Sequence, residues 1–362
     1  MKIKIQGFLG TNHSWSVVQQ NIARSMKNMG HDVHLFSTNG YEHFPSDLRG
    51  LVRPQLDSNY DCQISYTAMV NFPTYLANGN KNRFGIWCYE WAGENILPSG
   101  FAKHYKSCDY LCPPSEFSKR VFLESKIPSD NIKVIPHGID KNQYSQTSVI
   151  DLKTKKSFKI LANIAQNHLR KNIPGLLEAY GQAFSKKDDV VLILKAKVKP
   201  AKQAFEISLQ DCLNNFYKKY PNHAEVKILS EFIPDISALY RSVDATFTLT
   251  HAEGFYFPGL ESIASGKLAI APDWGGQIDF LNHSNSLLIS GKEVRANPRS
   301  MYWEAKKNAI WFEPDIKDAV NKLNYAYHNY QDLNKKIEND RENILNIYSW
   351  ENISKQIIEL CK

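Results

Sequence analysis

Between residues 251 and 261 the chain reads His-Ala-Glu-Gly-Phe-Tyr-Phe-Pro-Gly-Leu-Glu, which sets Glu253 and Glu261 eight residues apart. The run follows a predicted strand, Ala245–Thr250. It opens a predicted helix over 258–265, with Pro258 at the first helical position and Gly266 as its stop. Such a helix start directs free N–H groups and a positive dipole end beyond the strand ends, a site for a phosphate or diphosphate. Gly254 and Gly259 leave the backbone open to close approach. Glu261, in the first helical turn, can accept hydrogen bonds from a diol such as ribose, while Glu253 in the loop faces another part of the same ligand. A second candidate carboxylate, Glu90, lies in Trp87-Cys-Tyr-Glu-Trp-Ala-Gly93. Aromatics beside a carboxylate suit a sugar platform, and Trp87 and Trp91 are equally at home in a core. His137, in a Pro-His-Gly turn, competes with Glu90 for a catalytic role. The six cysteines match no zinc spacing and no Asp-x-Asp occurs, so no metal site is expected.

These residues need a scaffold that gathers loops at one end of a sheet. Lys2–Gln6, Val33–Ser37, Cys62–Tyr66, Phe84–Tyr89, Tyr110–Cys112 and Lys133–Ile135 read as strands, with helices over Ser16–Met29 and Ser115–Ser125. A polar stretch over 141–156 follows, and the alternation then restarts. Its strands are Lys159–Ile164, Val190–Ala196, Val226–Leu229, Ala245–Thr250 and Leu268–Ala271; its helices are Ile173–Phe184, Ala204–Tyr217, Ile236–Ser242 and 258–265. The tail from Ile316 reads as helical with a break near Tyr348-Ser-Trp350. The pattern predicts an α/β chain of two doubly wound domains, residues 1–150 and 151–345, with 346–362 as a final helix.

At these positions the chain resembles a known family. Glu253-Gly-Phe…Pro258…Glu261 looks like the E-x7-E signature of retaining GT-B glycosyltransferases of the family 4 type. Ile135-Pro-His-Gly-Ile-Asp140, the run from His168-Leu-Arg-Lys171 to Tyr180, Gly275-Gly276 and Tyr348-Ser-Trp-Glu351 are similar to further segments of that family. The resemblance implies two Rossmann-like domains facing across a cleft, with the last helix crossing back to the first. It implies transfer of a sugar from a nucleoside-diphosphate sugar, a co-substrate, with retention, no cofactor and no metal. Arg170 and Lys171 match the basic pair that contacts the diphosphate. Glu261 matches the ribose glutamate and Glu253 the glutamate near the donor sugar. Phe255, Tyr256 and Phe257 fill the intervening positions, and the helix start at Pro258, Gly259 and Leu260 takes the diphosphate. Lys195 ends a strand at the ligand-facing edge. The Gly7–Ser14 loop takes the place of a donor-phosphate loop, with Gly10, Thr11 and Asn12 at its centre, although the family's adjacent glycine pair is missing.

The 362 residues, 43% of them hydrophobic, suffice for a sizeable core in each domain, and the formal charge of +7 is spread over both halves. The opening residues read as a strand rather than a signal peptide, and no apolar run is long enough to span a bilayer. The expectation is a cytoplasmic enzyme, with peripheral contact at the inner membrane face left open. A carbohydrate or lipid-linked acceptor on the first domain is favoured over a modified nucleic-acid base. Two readings of other kinds compete: a nucleotide-sugar epimerase, and a sugar-nucleotide-binding protein without turnover.

Overall fold

The computed structural model describes residues 1–11, 13–41, 44–55, 59–76, 82–198 and 200–362, so Asn12 lies outside the described residues. The chain forms two compact units. One comprises Met1–Tyr89, Gly93–Lys141 and Asn346–Lys362; the other comprises Glu90–Ala92 and Asn142–Leu345.

The first unit is built on five parallel strands, β1 (Lys2–Gly7), β2 (Asp32–Ser37), β3 (Cys62–Tyr66), β4 (Arg83–Ile86) and β5 (Tyr110–Cys112), in the order β2-β1-β3-β4-β5. Parallel neighbours require crossovers, and the helix Ser14–Asn28 supplies the first, ending where Gly30 takes φ +84°. The order reverses direction between β1 and β3, so the loops leaving those two strands flank the sheet's switch point. Lys133–Ile135, expected as a strand, makes two backbone hydrogen bonds among the described residues, Lys133 N–H to Leu111 and Ile135 N–H to Pro113. Pro113 and Pro114 have no N–H to return, so pairing with the short β5 cannot propagate.

The C-terminal helix Trp350–Glu359 belongs to this unit and packs on Ser14–Asn28. Ser349 caps it by accepting from the Asn352 N–H, and the Ser25 hydroxyl donates to the Trp350 carbonyl at 3.1 Å. The Trp350 ring lies so close over Gly138 that a Cβ there would come within 2.7 Å of it, which explains the glycine after His137.

The second unit holds six parallel strands, β6 (Phe158–Asn163), β7 (Val190–Lys195), β8 (Glu225–Leu229), β9 (Ala245–Phe247), β10 (Leu268–Pro272) and β11 (Ser286–Ile289). Their order is β11-β10-β9-β6-β7-β8, the doubly wound arrangement, with its switch point between β6 and β9. Leu161, Val191 and Ile193 of the central strands are completely or almost completely buried against Leu239, Tyr240 and Val243. Beyond β11 an antiparallel hairpin, β12 (Gly291–Arg295) and β13 (Ile310–Pro314), stands apart from both parallel sheets. Neither β11 nor the hairpin was expected from the sequence. Gly-Lys-Glu-Val-Arg carries a single apolar residue, so β12 shows no strand periodicity.

The helix expected over Ala204–Tyr217 runs instead from Leu209 to Lys219, capped by Ser208. The residues before it serve a different purpose. The Leu169 N–H donates to Phe205 and the Ile207 N–H to Asn167, so this segment braces the loop that leaves β6.

Candidate active site

Two loops meet at the switch point of the second sheet. The one leaving β6 passes through a short 3-10 turn, Leu169–Lys171, before the helix Ile173–Ala183. Asn172 makes the junction in the left-handed region at φ +50°, which asparagine tolerates, and its side chain caps the helix by accepting from the Gly175 N–H. The loop leaving β9 is stitched to the first through one carbonyl. Arg170 C=O accepts from the His251 N–H at 2.7 Å and from the Thr250 hydroxyl at 3.0 Å.

This stitching places four charges together. Buried Glu253 accepts from Lys171 Nζ at 2.5 Å, Arg170 Nη1 at 3.0 Å and the Thr250 hydroxyl at 3.2 Å. Arg170 Nη1 also donates to the Ala252 carbonyl at 2.7 Å, and Nη2 lies 3.6 Å from Glu90 Oε1. Glu90 in turn accepts the Tyr302 phenol hydrogen. The residues fall in one compact unit because Glu90–Ala92, early in the chain, pack with the later segments: Ala92 and Ile310 exchange two backbone hydrogen bonds, of 3.0 and 2.8 Å.

Burial and charge pull against each other here. Burial alone would raise the Glu253 pKa, but Lys171 and Arg170 outweigh it and hold this carboxyl below its ordinary value. For Glu90 burial wins over Arg170 and Tyr302, and its pKa is raised. Burial likewise prevails at Lys171, aided by the neighbouring Arg170 charge, and lowers its value against the pull of Glu253. Arg170 is held firmly protonated, because Glu253 and Glu90 overcome its desolvation. Its buried Nε has no partner among the described residues, and Lys171 is only half-buried. The pair thus retains hydrogen-bonding capacity for an anion.

The helix after the loop begins at Phe257, so Pro258 is its second residue and Glu261 its fifth, one position later than expected. Tyr256 stands at the cap in the left-handed region, φ +75°, with no side-chain cap for the helix. The strained turn is held from two sides. A Cβ on Gly259 would meet the Tyr256 ring at 2.7 Å, and one on Gly276 would meet the Gly254 carbonyl oxygen at 2.1 Å. Phe255 packs on Phe257 and Phe280, and Leu260 is completely buried, so these side chains serve the core. Pro258 has no N–H and the Gly259 N–H donates to the Tyr256 carbonyl at 3.2 Å, so what this helix start presents is the positive end of its dipole.

Partly exposed Glu261 accepts from the phenols of Tyr144, at 3.0 Å, and Tyr240. Burial raises its pKa against those two hydrogen bonds. Tyr240 accepts from Asn163, the last residue of β6, and Arg341 grips the Tyr144 carbonyl at 2.7 Å. Lys195, at the end of β7 beside Asn163, donates to the Glu231 carbonyl at 2.7 Å.

In the first unit, the Leu9 and Gly10 N–H groups both donate to Asn39 Oδ1, at 3.0 and 3.1 Å. A Cβ at residue 10 would fall 2.0 Å from the Gly40 carbonyl oxygen, so close backbone approach already accounts for that glycine. His137 hydrogen-bonds the Tyr66 phenol through Nε2 at 3.1 Å, and burial depresses its pKa to about 3, which keeps it neutral.

Sequence reasoning missed Tyr302, Tyr144, Tyr240 and Thr250. Tyr144 and Tyr302 sit in stretches without motif or periodic signal, Tyr240 lies in an expected helix that gave no sign of a site role, and only the fold brings the three to the carboxylates. Among the described residues no group of three or more His, Cys, Asp or Glu side chains is placed to hold a metal ion.

No family model and no curated protein matches the sequence. Solved structures do match it over nearly its whole length. A glycosyltransferase from Rickettsia africae aligns with a TM-score of 0.71 at 18% identity, covering 100% of this chain and 98% of that one. Anabaena HepE in complex with UDP aligns at 0.70 and 16% identity, covering 99% of each chain. Sucrose-phosphate synthase from Thermosynechococcus elongatus aligns at 0.71 and 13% identity, covering 99% and 98%. Likeness at such identities is a likeness of fold, and it agrees with the two parallel sheets described above: the chain has the GT-B fold of these structures.

Proposed function

We propose that the protein is a glycosyltransferase that moves a sugar from a nucleoside-diphosphate sugar to a hydroxyl acceptor. The observation that carries this reading is the convergence of Arg170, Lys171, Glu253 and an uncapped helix start at the switch point of the second sheet. Two cations and the positive end of a helix dipole are the means of neutralising a departing diphosphate. Glu261 takes the ribose hydroxyls. Matched structures that hold UDP, and in one case UDP-glucose, support a donor of this class.

The finer points of the proposal are retention at the anomeric carbon and transfer without a metal. The leaving phosphate assists the incoming hydroxyl, and Arg170 and Lys171 stabilise the charge that develops. The acceptor is a saccharide or a lipid-linked saccharide. No helix among the described residues is long and apolar enough to cross a membrane. Incubation with labelled nucleoside-diphosphate sugars tests the reading. Free nucleoside diphosphate with a glycosylated product of retained configuration, unaffected by EDTA, is the expected result. A new sugar epimer favours an isomerase, and binding without turnover a sugar-nucleotide-binding protein.

A further inference from the structure

The β12–β13 hairpin belongs to neither parallel sheet, and nothing in the proposed transfer requires it. Yet it touches the segments that carry both buried carboxylates. On one side, Trp311 stacks on His251 with ring centroids 4.0 Å apart, the Phe312 N–H donates to the His251 carbonyl at 2.9 Å, and His251 Nδ1 lies 2.8 Å from the Phe312 carbonyl. Glu253 is two residues further on. On the other side, Ile310 holds Ala92 by two backbone hydrogen bonds, and Tyr302 in the hairpin's long connection reaches Glu90. The base of that connection is closed by the Ala296 N–H donating to Ala309 at 2.8 Å. The Tyr302 ring is wedged against Trp91, His168 and Phe205, with centroids 5.2, 5.7 and 5.8 Å away. A phenol confined on three sides can offer its hydrogen in essentially one direction.

We propose that this hairpin is a clasp that fixes the Arg170 guanidinium between Glu253 and Glu90, with Tyr302 as the positioning residue that aims the Glu90 carboxylate. The proposal rests on the reading of Arg170 as a diphosphate ligand. A guanidinium held through Nη1 alone, by Glu253 and the Ala252 carbonyl, can swing about that end, and the carboxylate beside Nη2 removes that freedom. The groups facing Glu90 are Arg170, Lys171, Glu253 and the Tyr302 phenol, and His168 lies beside the Tyr302 ring. Arg170, Lys171 and the phenol favour the ionised form; Glu253 and burial oppose it. Removing the phenol hydroxyl therefore raises the pH at which Glu90 loses its charge and releases Arg170.

The test is Tyr302→Phe, which keeps the ring and deletes the hydrogen bond, with Tyr325→Phe, exposed on the helix Ile316–Ile347, as control. The expected result is a fall in kcat of about tenfold with the donor KM within twofold, and an acid limb of the kcat profile moved up by about one pH unit. Carbon-13 NMR of glutamate-labelled protein, with the Glu90 signal assigned through Glu90→Gln, is expected to show the same shift of its midpoint without turnover. In the Glu90→Gln background, Tyr302→Phe is expected to add nothing. An unmoved Glu90 midpoint overturns the role of Tyr302, as does a loss of activity that tracks the thermal midpoint while the pH profile stays put. A wild-type chain that transfers no sugar contradicts the function proposed above, a different outcome from an unmoved titration.

Discussion

Glu253 shows how much a single side chain's chemistry depends on its partners. Its residue type, its place after a strand and its distance from Glu261 are visible in the sequence, and Arg170-Lys171 is visible as a basic pair at a helix start. That both cations close on Glu253 is not visible, because the loops are joined through a backbone carbonyl. Glu90 was legible as a carboxylate among aromatics, while its neighbour Arg170 was not, since their proximity depends on Ala92 bonding Ile310, more than two hundred residues later. Glu261 illustrates a smaller displacement: Pro258 suits the first helical position, but the left-handed Tyr256 lets Phe257 take it. Replacing Glu261 with Ala is expected to weaken nucleoside-diphosphate binding by roughly 1–3 kcal/mol, the scale of charge-assisted hydrogen bonds. Tyr144→Phe, which removes one of the phenols holding that carboxylate, is expected to cost less. Calorimetric titration of both variants checks the order, and an unchanged affinity in Glu261→Ala removes this residue from the ribose site.

At the scale of elements, the parallel strands were the readable part. Residues 190–194 and Leu268–Pro272 are continuous apolar runs, as strands buried on both faces must be. Short or polar strands such as β11 and β12 escaped because tertiary pairing, not local pattern, makes them. The helix Phe257–Ala264 depends on a glycine outside it. Gly276 lets its own backbone lie against the Gly254 carbonyl, and a methyl group there has only backbone to displace. Gly276→Ala is therefore expected to lower stability by about 1–3 kcal/mol and to disturb the Glu253 loop. Chemical denaturation alongside donor titration measures both effects; full stability with intact donor binding would show that the loop can yield at no cost.

At the scale of the molecule, each unit buries a histidine that stays neutral. Burial takes His137, in the first unit, to about 3, and burial with the nearby Arg170 and Lys171 charges takes His168, in the second, to about 4. A folded value below the unfolded 6.5 means that the unfolded chain takes up the proton first as the pH falls. Stability present above pH 6.5 is thus lost progressively below it, by up to about 1.4 kcal/mol per pH unit for each histidine. His137→Gln is expected to flatten the stability–pH curve between pH 6 and 5 by up to about one proton's worth; an unchanged slope in urea unfolding contradicts this. The return of the tail to the first unit was suggested by the resemblance around Tyr348-Ser-Trp350, and Trp350 over Gly138 gives it a physical basis. Trp350→Ala is expected to cost about 3–5 kcal/mol in that unit, read from its unfolding transition. The central claim is that the switch point of the second sheet binds a nucleoside diphosphate through Arg170 and Lys171. Isothermal titration of UDP, GDP and ADP into the wild type and Lys171→Gln tests it most directly, because this variant leaves Glu253 paired with Arg170. The expected result is saturable binding of at least one nucleotide by the wild type, weakened about ten- to hundredfold in Lys171→Gln. Binding of none of them at millimolar concentration, or equal affinity in the two proteins, would contradict the account.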